Sequence, residues 1–280
     1  MKWLSKCFHL INILNLDVAI GAVGMARLTN YILSQSSPNG QYYLLFSAVW
    51  SIYLVDHLYD SRKPEAVSER RKFFKMYYPF FLRVLIINLL ITLAVFVVHF
   101  DVLMLVYASP AFGITGVYIL ANWLFQENKQ RFYLKEILIA MGYSIGIMVI
   151  PLTVIDELNS QVWLIASVYI LMALWNLLLI ARFEKNIDQK EGQTSMNQWV
   201  SNKGITIINF IIYTLFIGIS VTYALLYKMD GRILITWISI AIYMLVPLIF
   251  PRIFRKKEKY HRYVDMVFLL AFLHLIPLKF

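Results

Sequence analysis

Apolar residues in this chain come in long runs separated by short polar stretches, rather than in alternation. An α-helix needs about 20 such residues to cross roughly 30 Å of hydrocarbon, whereas a membrane β-strand would show segments of alternating character. The runs predict nine helices, over 10–35, 41–60, 79–99, 102–122, 136–155, 161–182, 204–227, 232–250 and 263–279. The first is interrupted by Asn12, Asn15, Asp17 and Arg27, which sets it apart from the uninterrupted core of a cleaved signal peptide. The expected fold is all-α: a polytopic membrane protein whose nine transmembrane helices form one domain over residues 1–280.

Composition agrees with that pattern. Hydrophobic residues make up 60% of the 280, charged residues 15%, and the mean hydropathy is +0.66, well away from a soluble domain's balance. A single cysteine, Cys7, leaves no disulfide framework and no cysteine-built metal site. The five histidines, His9, His57, His99, His261 and His274, include no pair at metal-ligand spacing, so a zinc site is not expected.

The net charge of +10 would suit nucleic acid, but its distribution points elsewhere. With nine spans, 21 of the 26 basic residues fall at the N-terminus or in the connections after spans two, four, six and eight. The positive-inside rule places those segments, and the N-terminus, in the cytoplasm. The charge therefore records topology and attraction to anionic lipid, with no nucleic-acid partner expected. An integral protein of the cell (inner) membrane is implied, with its two longest connections, 61–78 and 183–203, on the cytoplasmic side.

Both connections adjoin acidic pairs. Asp56 and Asp60, at the end of span two, share one helix face, and Glu184 and Asp188 repeat the i, i+4 spacing at the end of span six. Two carboxylates so placed repel each other, oppose the helix macrodipole at a C-terminus, and lose hydration at the membrane boundary. One reading makes them interfacial acids paired with Arg62 and Lys63. The other supplies a cation. The recurrence at matching ends favours the cation and hints that spans one to four and five to eight are related halves. Oxygen-only donors suit Mg²⁺, which works with one or two carboxylates plus substrate phosphates. Arg62, Lys63, Arg182, Lys185 and Lys190 lie beside the acids and can hold phosphate oxygens. His57, between Asp56 and Asp60 in sequence, points off their face and is expected to be a neighbour rather than a ligand. A diphosphate on a hydrocarbon tail is the ligand such a site would take.

Nine helices with acidic motifs after the second and sixth resemble the UbiA family of intramembrane aromatic prenyltransferases. That family's first motif reads N-x-x-x-D-x-x-x-D. Here Asp56 and Asp60 match it and Ile52 stands at the Asn position. Its second reads D-x-x-x-D-x-x-x-G-x-x-T, against Glu184, Asp188, Gly192 and Ser195. Leu16-Asp17 and Ile20-Gly21 are similar to a first-helix segment of some members, with Asn15 where many carry a basic residue. The resemblance implies a Mg²⁺-dependent enzyme in which Asp56, Asp60, Glu184 and Asp188 are catalytic metal ligands. It would transfer an isoprenyl group from an isoprenyl diphosphate to a small lipophilic acceptor, aromatic or otherwise electron-rich. The alternative is a UbiA-like protein that binds a polyprenyl lipid without turnover, which Ile52 and Glu184 favour. A small transporter would explain polar residues within spans, but not acidic pairs confined to one side.

The remaining residues of note are Tyr53, Tyr59 and Tyr143, candidates to line a tunnel by position. Arg27 lies mid-span and needs either a partner or a polar cavity. Pro110 and Pro151 are expected to kink or break their helices, and Gly113, Gly116, Gly142 and Gly146 to let helices approach closely.

Overall fold

A computed structural model describes residues 2–62, 68–127, 134–155, 157–190, 196, 200–254 and 259–277. Every regular element among them is helical: α1 (Lys2–Ile13), α2 (Leu16–Ile32), α3 (Asn39–Ser61), α4 (Glu69–Met76), α5 (Tyr78–Val98), α6 (Val102–Glu127), α7 (Lys135–Leu152), α8 (Ser160–Lys190), α9 (Asn202–Leu226), α10 (Gly231–Ile249), α11 (Pro251–Phe254) and α12 (Lys259–Asp265), continued by a 3₁₀ segment, Met266–Leu275. Five of the helices are long and apolar enough to cross a membrane: Tyr78–Val98, Lys135–Leu152, Ser160–Ile187, Asn202–Leu226 and Gly231–Ile249. The chain is thus a polytopic integral membrane protein. That is a smaller number than the nine predicted. Of the other four, α2 has only 17 residues and carries Asp17 and Arg27, α3 is diluted by polar residues that include Asp56 and Asp60, and α6 and the last helix show shorter apolar stretches among the described residues, Val102–Tyr118 and Tyr263–Leu275.

The first predicted helix is two. Asn15 takes a left-handed conformation (φ 50°), which asparagine tolerates better than most residues, and turns the chain between α1 and α2. Span six runs on as helix to Lys190, so its acidic pair is helical. The connection after span two holds α4, capped by Ser68, whose hydroxyl accepts from the Arg71 N–H. Pro110 is carried inside α6, and Pro151 sits one residue from the end of α7.

Packing is uneven. The most apolar windows of α5 and α9 are only 17% and 22% buried, so their hydrocarbon faces outward, as lipid contact requires. The main core gathers Met25, Ile147, Ile165, Trp175, Phe216, Met244 and Val264 from α2, α7, α8, α9, α10 and α12. A smaller cluster, Ile13, Leu54, Leu58, Phe74, Phe81 and Leu85, seats α4 against α1, α3 and α5. The glycines expected to permit close approach do not all do so: Gly113, Gly116 and Gly146 face open space. The tight approach lies elsewhere. A Cβ on Gly21 would stand 2.4 Å from the Phe268 Cβ, where α2 meets the 3₁₀ segment.

A 3₁₀ helix rises about 2.0 Å per residue against 1.5 Å for an α-helix, so the apolar stretch Tyr263–Leu275 reaches about 25 Å.

Candidate functional site at the acidic end of the bundle

Asp56 and Asp60 lie at the C-terminal end of α3, one turn apart. Their surroundings differ. Asp60 Oδ2 accepts from the Arg71 guanidinium at 2.7 Å, with the two side chains 17% and 7% exposed. Asp56 is half exposed, beside Ile52, Val55 and Tyr59, which leave an open apolar face on the same helix. His57 is buried and stays off that face. Its Nε2 lies 2.6 Å from Asn15 Oδ1, which makes Nε2 the protonated nitrogen, and its Nδ1 stands 4.0 Å from Asp56 Oδ2.

Among the described residues, Arg71 reaches the first pair. α4 folds back along α3 because Phe74 packs between Leu54 and Phe81, and this swings Arg71 onto Asp60. Arg62 instead donates to the Tyr78 hydroxyl, through Nε at 2.9 Å and through Nη2, and lies over that ring. Arg70, on the same helix as Arg71, donates to the Asn12 carbonyl at 3.1 Å.

The second pair sits at the end of α8. Glu184 Oε1 is 3.5 Å from the Tyr260 hydroxyl of α12, whose ring stacks on Phe183. Arg182 and Lys185 are partly buried and Lys190 is exposed. Lys63, Gly192 and Ser195 lie outside the described residues, as does the side chain of Asp188.

Between the two acid-bearing helices runs a buried polar network that pattern and spacing do not reveal. The Asn12 amide donates to Asp17 Oδ2 at 2.8 Å and to Asp265 Oδ2 at 3.4 Å. From α8, the Asn176 amide donates to Asp265 Oδ1 at 3.3 Å and to the Val264 carbonyl at 3.0 Å. Asp17 and Asp265 are almost fully buried. The Tyr53 hydroxyl is within electrostatic reach of Asp17, Asp56, Asp265 and Arg70. Tyr143 donates to the Val18 carbonyl at 3.1 Å and packs on Phe268, while Tyr59 is exposed. Asn12, Asn15 and Asp17 are visible in the sequence as interruptions of a hydrophobic run. Asp265 and Asn176 carry no local signal at all.

Arg27 belongs to the other end of the bundle. It donates to Asn39 Oδ1 at 3.1 Å and lies over the Tyr42 ring, so its charge is met by structure rather than by a cavity.

Among the described residues no three His, Cys, Asp or Glu side chains converge as a preformed metal cluster. The donor chemistry nonetheless suits a hard cation, since two carboxylates on one face can hold Mg²⁺ when phosphate oxygens and water complete the shell. Glu136, at the start of α7, is buried, and its Oε2 has no hydrogen-bond partner among the described residues.

No family model and no curated protein matches the sequence. Among solved structures, the apo structure of a UbiA homolog from Aeropyrum pernix K1 is similar, with a TM-score of 0.65 at 11% identity, covering 92% of this chain and 96% of that one. Likeness at so low an identity speaks for architecture alone. The chain shares the helical fold of that UbiA homolog.

Proposed function

We propose that this chain is a membrane-embedded prenyltransferase that moves an isoprenyl group from an isoprenyl diphosphate to a lipophilic, electron-rich acceptor. The carrying observation is the acidic end of the bundle. On α3, Asp56 and Asp60 stand beside an open apolar face, and on α8 Glu184 stands at the matching end. A phosphorylated head with a hydrocarbon tail is what carboxylates next to exposed Ile52, Val55 and Tyr59 would take.

In this reading all nine long elements cross the bilayer, with the N-terminus and the acidic end cytoplasmic. The reach of about 25 Å for the apolar stretch Tyr263–Leu275, longer than an α-helix of the same 13 residues would have, supports the ninth crossing. Asp56, Asp60, Glu184 and Asp188 would hold Mg²⁺. When bound, that ion supplies neutralising charge to the diphosphate. Arg62, Lys63, Arg182, Lys185 and Lys190 are the proposed diphosphate contacts, and Arg71 joins them by its position on Asp60. His57, fixed by Asn15, keeps its Nδ1 toward Asp56. The buried walls of α2, α7 and α8 exclude water from the allylic carbon while the acceptor approaches.

The Asp60–Arg71 ion pair supports a second reading, a lipid-binding protein without turnover, because it already engages one of the carboxylates. Purified protein in detergent separates the two. Mg²⁺-dependent binding of a labelled isoprenyl diphosphate, lost in Asp56→Asn, is expected of both, and release of diphosphate in the presence of membrane lipid extract only of the enzyme. Binding that is equal in wild type and Asp56→Asn would remove the acids from the site altogether.

A further inference from the structure

Glu136 is a buried carboxylate that the proposed chemistry leaves unused. It is 3% exposed, at the first turn of α7. Oε1 accepts from the Met196 N–H at 3.0 Å, in the segment that follows the second acidic pair. Oε2 is buried and has no hydrogen-bond partner among the described residues. A carboxylate oxygen out of water and without a donor is strongly unfavourable, and native structures keep such groups where a ligand completes them.

Its location narrows what that ligand is. α7 packs against both α3 and α8, the helices that bear the two acidic pairs. The Tyr118 hydroxyl of α6 is within electrostatic reach of Asp56 and Asp60 on one side and of Lys135 and Glu136 on the other, so it stands between the first pair and the start of α7. Because no three carboxylates converge among the described residues, direct ligation by Glu136 alongside Asp56 and Asp60 is not the geometry on offer. Mg²⁺ parts with its waters reluctantly and commonly keeps several. A carboxylate one water further out is a natural acceptor for that shell.

We infer that Glu136 is a fifth carboxylate of the cation–diphosphate site, its free Oε2 accepting hydrogen bonds from water bound to the cation that Asp56 and Asp60 hold. The inference rests on the proposed function, because it needs a cation there. It assigns the first turn of α7 to the site and makes the Met196 N–H the group that aims the carboxylate. Met196 is thereby coupled to occupancy, since its N–H holds the other oxygen of the same side chain.

The experiment uses Mn²⁺ with inorganic diphosphate as the probe, followed by electron paramagnetic resonance on the full chain in detergent. Glu136→Gln keeps an oxygen for the Met196 N–H and removes only the charge. It is expected to bind the probe at least about tenfold more weakly than wild type, while its melting temperature without divalent cation rises by about 2 °C or more, because an uncompensated buried charge is gone. Unchanged affinity in Glu136→Gln, with Asp56→Asn defective, overturns the inference and leaves the proposed function standing. No Mn²⁺–diphosphate binding by wild type overturns both. Should Glu136→Gln fail to fold, Glu136→Asp retains the charge and shortens its reach. Weakened binding in that folded variant supports the inference, and wild-type binding overturns it.

Discussion

Cutting Arg71 back to alanine removes the guanidinium that holds Asp60, and the structure sets the size of the effect. The contact is 2.7 Å between side chains that are 7% and 17% exposed. Coulomb attraction at that distance is about 6 kcal/mol with an effective dielectric constant near 20. Taking both ions out of water costs several kcal/mol each, so the pair nets far less than its attraction. Breaking it from one side is different, because Asp60 is then left partly desolvated and the arginine stem no longer packs. Arg71→Ala should cost about 3 kcal/mol, Asp60→Asn about 1.5 kcal/mol, and the double variant about 2 kcal/mol less than their sum. Unfolding in mixed detergent micelles, followed by circular dichroism on all four proteins, measures the coupling. A coupling below about 0.5 kcal/mol would refute the reasoning, for it would mean that α4 does not hold Arg71 on Asp60 in solution.

Two further outcomes are expected. Gly21→Ala places a methyl 2.4 Å from the Phe268 Cβ and 3.1 Å from its carbonyl carbon, where no flexible side-chain end can yield, so the thermal midpoint should fall by the equivalent of about 1–3 kcal/mol. A Gly146→Ala control, facing open space, should leave it nearly unchanged. With Cys7 replaced by serine, a cysteine at Lys72 should be labelled by an impermeant reagent only from the cytoplasmic side, and one at Glu157 only from outside; labelling of both from one side would break the nine-span topology.

The positions of the long helices were legible because a membrane span announces itself through length and apolar continuity, which are local properties. What escaped depends on contacts. The break at Asn15 requires a left-handed residue whose side chain meets His57, 42 positions away in the chain. Arg62 and Arg71 sit in the same basic stretch, and only the folding back of α4 on Phe74 decides which reaches Asp60. The capping serine at Ser68 did carry a local signal for that helix, ahead of Phe73 and Phe74. Glu136 reads in sequence as an ordinary acidic start to a helix. Its burial follows from α7 lying between α3 and α8, which no spacing rule contains.

The amide of Asn12 and the carboxylate of Asp265 are 253 residues apart, and with Asp17 and Asn176 they close one buried network. Ribosomes deliver these groups in order. Asn12 and Asp17 emerge first and must wait, through the synthesis of nearly every other helix, for the residue that completes them. Asn176 shortens the wait but cannot end it. The earliest-made part of the bundle is therefore the last to reach its final environment, and a chain cut anywhere before Asp265 leaves it exposed. Quality control that surveys polar groups left open in a membrane would find its clearest sign of an unfinished chain at the amino end.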